Sequence, residues 1–327
     1  MQKVHWYIVL VSIVVLCCPV YPEQPPEELL RAITRIRATI PETARTARLL
    51  GTEREGSGVV IDANGHVLTI GYLILEAETI ELVGPDNQVT RATFVGYDHH
   101  SGFGLVRAET PPGVQPLLLG ESSAIAVGDP ILVASYGGSD AAQGVWLVAR
   151  QEFAGYWEYL LEDAMFTAPP FANFGGAALI DRQGHLVGIG SLFTPVEIPG
   201  VGTAPGNMFV PIDRLKPILA DLMATGRSTT PPKPWLGVHA EEVHGRVFVR
   251  RTVVDGPAQQ AGLQTGDLIL QVGEQDITGL ADFYRKVWAR GAAGAEIPLR
   301  ILQGSRFREI TIHSVDRQQY LGLPAKR

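Results

Sequence analysis

Gly56-Ser-Gly-Val-Val-Ile-Asp-Ala-Asn-Gly-His-Val-Leu-Thr-Ile70 decides the fold class. Two short apolar runs, Gly58 to Asp62 and His66 to Ile70, flank an Ala63-Asn64-Gly65 turn signal. Runs of this length bounded by Asn and Gly read as paired strands rather than as a helix. Working outward, the same pattern recurs at Thr79 to Val83, Pro130 to Ala134, Gly144 to Val148 and His185 to Ile189, with Arg182-Gln183-Gly184 as another turn. With 36 Gly and 23 Pro against 8% aromatics, the chain suits a turn-rich, mostly β protein, a barrel or a sandwich.

The length of 327 residues fits two globular units at about 150 residues each. Hydrophobic residues at 46% supply real cores, and 19% charged residues exclude wholesale disorder. The net charge of −7, without a long basic stripe, argues against nucleic acid as a partner. No cofactor-binding motif stands out.

Trp6 to Cys18 is apolar apart from Ser12, and 13 helical residues span only ~20 Å of a ~30 Å hydrocarbon core. Residues 1–21 therefore read as a signal peptide or an uncleaved anchor that tethers the chain to the inner membrane. Leu16 before Cys17 is too bulky for the usual lipidation context. Both cysteines lie in this segment, so the exported body carries neither a disulfide nor a thiolate metal site. A periplasmic location is the expectation.

Residues 22–42 read as a spacer and a helix. Pro22 to Pro26 is stiff, and Leu29, Leu30, Ile33 and Ile36 recur at helical spacing over Glu27 to Ile40. Residues 43–226 carry the strand pattern and close on a helix over Ile212 to Thr225, with Gly226 as its C-cap. Residues 227–234, with Ser228-Thr-Thr-Pro-Pro-Lys-Pro234, form a linker. Residues 235–316 form a second unit with one clear helix, Leu280 to Trp288, and residues 317–327 a polar, loose tail.

At this point Gly56 to Asp62, Gly65 to Thr69, Gly175-Gly176 and Gly206-Asn-Met-Phe-Val-Pro211 together resemble the HtrA/Deg branch of trypsin-like serine proteases. Trp235-Leu-Gly-Val238, Gly256-Pro-Ala-Gln-Gln-Ala-Gly-Leu263 and Gly266-Asp-Leu-Ile269 resemble the PDZ domain that follows the protease in that family. The resemblance implies a chymotrypsin/trypsin-like double β-barrel followed by an α+β PDZ domain, and a homo-oligomer or larger envelope complex.

The chemistry of the resemblance is missing. A serine protease needs a hydroxyl, an imidazole to take its proton and a carboxylate to orient the imidazole. The positions matching the family motifs are Tyr72, Gly102 and Phe174, in Leu68-Thr-Ile-Gly-Tyr72, Asp98-His-His-Ser-Gly102 and Ala172-Asn-Phe174. A phenol makes a poor base, glycine has no side chain, and a phenyl ring cannot attack a carbonyl. The expectation is a pseudoprotease with no catalytic residue. The alternative is an active endopeptidase in protein quality control with a non-standard constellation drawn from Ser57, Ser101, Ser135 or Ser191. Asp98-His99-His100 reads as a solvated loop rather than a metal site, and His66 and His185 as exposed turn residues. Trp146, Trp157 and Tyr159 read as half-buried barrel packing.

The second unit retains what a peptide needs. A chain end adds to a sheet edge, its carboxylate held by backbone N–H groups. The expected groove residues are Trp235, Leu236, Gly237, Val238 and His239 on loop and edge strand, with Tyr284 and Val287 on the helix. The expected partners are protein C-termini or extended peptides. The competing expectation is a groove filled by the chain itself or by a subunit.

Overall fold

The computed structural model describes residues 27–198 and 200–323. The segment read as a signal peptide or anchor and the Pro22–Pro26 spacer lie outside the described residues. Among the described residues no helix is long and apolar enough to cross a membrane.

Six strands close the first barrel: β1 (Ile33–Thr39), β2 (Glu53–Val60), β3 (His66–Ile70), β4 (Thr79–Val83), β5 (Val89–Tyr97) and β6 (Phe103–Ala108), in the order β1-β2-β3-β6-β5-β4. Six more close the second: β7 (Pro130–Ala134), β8 (Ala142–Gly155), β9 (Tyr159–Ala168), β10 (Ala178–Ile180), β11 (Leu186–Ile198) and β12 (Gly202–Pro211), in the order β10-β11-β12-β9-β8-β7. One continuous core joins them, with Ile36, Leu68 and Phe103 from the first barrel and Leu161, Phe166 and Leu186 from the second. Burying each such side chain contributes roughly 1.5–3 kcal/mol.

The chain opens differently from its helical spacing. Only Glu27–Leu30 is helical, and Ile33–Thr39 is β1, the strand that closes the first barrel by pairing with both β2 and β4. Ile36 and Ala38 point inward while Arg35 and Arg37 point out, where Arg35 meets Glu55 across the pair at 2.6 Å. Period 2 and β-branched residues outweigh the coincidental spacing of Leu29, Leu30, Ile33 and Ile36. The closing helix is also shorter. A 3-10 turn, Ile212–Arg214, precedes Leu219–Thr225, because Pro217 lacks the N–H that would carry the helix through. Gly226 caps it in the left-handed conformation.

The second unit is a five-strand path, β13 (Val238–Val243), β14 (Arg246–Thr252), β15 (Leu268–Val272), β17 (Glu296–Gln303) and β18 (Arg306–His313), with β16 (Gln275–Asp276) attached to β15. The helix Leu280–Trp288 packs Phe283, Tyr284 and Val287 into its core. β13 and β18 are the edge strands of that path. The tail is not loose up to Leu323. Arg317–Tyr320 is a helical turn capped by Asp316, which pairs with Arg227 at 2.7 Å, and the Tyr320 ring packs on Trp235 with centroids 4.6 Å apart.

Candidate functional site: an apolar cleft beside an occupied PDZ groove

Tyr72, Gly102 and Phe174 come from three separate segments and line one cavity of about 360 Å³ between the barrels. Its walls are mainly apolar and aromatic, including Leu49, Ile70, Trp157, Tyr159 and Leu192. Tyr72 sits on the 3-10 turn after β3, and its hydroxyl donates to the Ser191 carbonyl at 3.0 Å. Burial raises its pKa far above that of a free phenol, so it holds its proton. Gly102 lies in the tight turn between β5 and β6 at φ +83, a conformation that suits glycine. A Cβ there would stand 3.6 Å from the Tyr159 hydroxyl, which itself donates to the Ser101 carbonyl at 2.7 Å. A side chain at 102 would thus stand in van der Waals contact with Tyr159.

Of the other candidate hydroxyls, that of Ser191 belongs to a residue lining this same cavity, while Ser57 and Ser101 are engaged in hydrogen bonds. Ser57 Oγ accepts from the Tyr136 N–H at 3.1 Å, and Ser101 Oγ donates to Asp98 at 2.6 Å. Ser135 Oγ is buried with no hydrogen-bond partner. Among the described residues the hydroxyl bonded to an imidazole is that of Tyr97, 3.0 Å from His99 Nδ1. Nor does any group of three His, Cys, Asp or Glu side chains among them suit a metal ion.

The histidines are less exposed than their turns imply. His66 Nδ1 meets Asp62 at 2.6 Å, and His185 Nδ1 meets Asp181 at 3.3 Å, the same Asp-to-His pairing in each barrel. His99 and His100 are half-buried rather than solvated. His99 Nε2 lies 3.2 Å from the Glu158 carbonyl, Arg317 bonds its ring, and His100 packs edge-on to Trp288. Burial first, then the Arg317 charge, hold the His99 pKa well below the ordinary value. Tyr159 is fully buried, and Trp157 stacks on it with centroids 5.5 Å apart, so both wall the cleft as well as the barrel; Trp146 is half-buried on β8.

The PDZ groove is filled by the chain itself. The turn Gly155–Tyr159 joins β8 to β9 and enters between β13 and the helix Leu280–Trp288. The Glu158 carboxylate accepts three backbone N–H bonds, from Leu236 at 2.8 Å, Gly237 at 2.8 Å and Val238 at 2.9 Å. Gly237 at φ +73 makes the turn that aims these donors at one anion. Tyr156 adds to the sheet edge, its carbonyl accepting from the Ala240 N–H at 2.9 Å. The Tyr284 hydroxyl donates to the Gly155 carbonyl at 2.8 Å and accepts from the Glu158 N–H at 3.2 Å. Ala154 and Leu160 pack on the PDZ core.

Of the expected groove residues, Leu236, Gly237 and Val238 supply the donors, His239 faces the Tyr156 ring with centroids 5.4 Å apart, and Tyr284 touches the occupant. Trp235 instead packs against Tyr320, and Val287 belongs to the core. Burial, then Arg251, push the His239 pKa down to about 4. Burial pushes Glu158 up to about 7 against the opposing pull of the backbone N–H groups. Sequence reasoning missed Tyr156 and Glu158. The available signal was Glu158 itself, which occupies φ +60 at the last position of a three-residue hairpin loop, a place that favours Gly or Asn.

Fold and site together define a trypsin-like double barrel carrying a PDZ domain. Family models agree: a trypsin-like peptidase domain matches residues 56–189 and a PDZ domain residues 234–313. Over most of its length the chain is similar to HtrA/Deg-type proteins. It is 26% identical over 275 residues to the "probable periplasmic serine protease do/HhoA-like" of Haemophilus influenzae, covering 78% of this chain and 57% of that protein. It is 29% identical over 267 residues to a "probable periplasmic serine endoprotease DegP-like" of Ectopseudomonas mendocina, covering 75% and 53%. The chain thus spans a little over half the length of these relatives. Its fold is similar to the HtrA-type protease AlgW with decapeptide (TM-score 0.52, 21% identity, 88% of this chain and 95% of that one). A similar match is the serine endoprotease from Yersinia pestis (TM-score 0.52, 21% identity, 90% and 99%).

Proposed function

We propose that this chain is a non-hydrolytic HtrA-type protein of the periplasm that binds extended protein chain ends through its PDZ domain, as a scaffold or as a subunit of an envelope assembly. The observation that carries the proposal is the cleft. At the three positions where the family places nucleophile, base and orienting acid stand Phe174, a Tyr72 hydroxyl bonded to Ser191, and Gly102. Without nucleophile and base the covalent route is closed. The periplasmic part rests on relatives named periplasmic and on a body free of cysteine from Tyr21 onward. The binding part rests on a sheet edge at β13 and a backbone N–H nest suited to a terminal carboxylate.

Purified chain is incubated with unfolded casein and with a fluorescent fluorophosphonate. Neither cleavage nor labelling is expected. Labelling of the wild-type chain together with casein cleavage would overturn the non-hydrolytic assignment.

A further inference from the structure

We infer that the turn Gly155–Tyr159 is a built-in ligand of the PDZ groove, with the Glu158 side-chain carboxylate in the place of a chain-terminal one, so that an outside chain end binds only by exchanging with it. The inference rests on the peptide-binding part of the proposed function and specifies how that site is controlled.

Each element of recognition by strand addition is already satisfied within the chain. A terminal carboxylate needs a cluster of amide donors, and Leu236, Gly237 and Val238 all point theirs at Glu158. A peptide strand needs the outer edge of β13, and the Ala240 N–H there is bonded to the Tyr156 carbonyl. The helix side of the groove is engaged too, by Tyr284 bridging the Gly155 carbonyl and the Glu158 N–H. An incoming carboxylate and the Glu158 carboxylate cannot share three donors.

The backbone supports the assignment independently of these bonds. Glu158 holds a left-handed conformation that is unfavourable for a residue with a Cβ. A turn with no further task would carry Gly or Asn there, so the glutamate is explained by what its carboxylate reaches. Tethering matters as well. A groove ligand on the same chain acts at an effective concentration of millimolar order, so an untethered peptide competes at a disadvantage.

The test uses the full chain, wild type and Glu158→Ala, with Tyr284→Phe as a milder variant should Glu158→Ala fail to fold. Amide hydrogen exchange over residues 236–240 is measured first. Exchange there is expected to rise by about tenfold or more in Glu158→Ala, and less in Tyr284→Phe, with β17 and β18 unchanged. Equal exchange in wild type and variants would overturn the inference. The second measurement uses a pool of fluorescent decapeptides with randomised final positions, bearing a free carboxylate or an amide. Glu158→Ala is expected to bind the free-acid pool about tenfold more tightly than wild type and to ignore the amidated pool. Equal affinity of wild type and Glu158→Ala for the free-acid pool would overturn the exchange mechanism. If exchange rises but no chain binds either pool, the built-in ligand stands and the peptide-binding part of the proposed function falls.

Discussion

Consider installing the three side chains of the family motif together, as Tyr72→His, Gly102→Asp and Phe174→Ser. Each of the three positions is engaged in a way that the substitution breaks, so the triple variant is expected to be less stable and still inert. Aspartate at position 102 must adopt φ +83, at about 1–2 kcal/mol. Its Cβ would sit 3.6 Å from the Tyr159 hydroxyl, which already donates to Ser101. Replacing half-buried Phe174 by serine forfeits about 1–2 kcal/mol of apolar burial. Losing the Tyr72 hydroxyl leaves the Ser191 carbonyl without that donor, at about 1 kcal/mol. Together these come to roughly 3–5 kcal/mol, a fall of about 10 °C in melting temperature. Calorimetry reads the stability, while fluorophosphonate labelling and casein cleavage read the chemistry. A triple variant that labels and cleaves would refute the expectation that the neighbours of these positions prevent the chemistry.

Other outcomes follow from groups near the same cleft. Buried Arg54 donates to the carbonyls of Gly51, Tyr72 and Leu75 and to Thr46 Oγ1, and Arg54→Met is expected to cost about 3–5 kcal/mol in urea unfolding; a loss below about 1 kcal/mol would show these bonds to be incidental. His239, with its pKa pushed down to about 4 from 6.5, is neutral in the seated arrangement, so the stability it contributes is complete above pH 6.5 and is lost as pH falls through about 4. Its ring resonances in NMR should titrate near that lower value in wild type and move toward 6.5 in Glu158→Ala, where the Tyr156 ring leaves it; an unchanged midpoint would contradict the shielding role of the turn.

Much of this architecture is written in local pattern. The Asn64-Gly65 and Gln183-Gly184 turns mark hairpins directly, and the helix Leu280–Trp288 ends where its periodicity ends. β1 was hidden because its buried Ile33 and Ile36 happen to extend the spacing of Leu29 and Leu30, although Ile36 and Ala38 alternate with Arg35 and Arg37 as a half-exposed strand should. Pro217 announces the broken closing helix, but only if it is weighed above the leucines around it. The convergence of Tyr72, Gly102 and Phe174 came from resemblance; no spacing encodes it. The seating of Glu158 on Leu236, Gly237 and Val238 had still less to announce it, since partners about 80 residues apart leave no periodic trace. The burial of His99 and the docking of Arg317 and Tyr320 were hidden for the same reason.

The two ribbons that finish the second barrel also brace the whole molecule. β8 and β9 pair from Trp146–Ala168 at the barrel wall to Gly155–Tyr159 at the tip, nine residues along β8, or roughly 30 Å of beam at about 3.3 Å per residue. The far module is therefore fastened at three places: by its proline-rich joint, by the beam's end, and by the tail, where Arg317 bonds the His99 ring. A joint alone would permit a swivel that the beam's end and the tail together restrain.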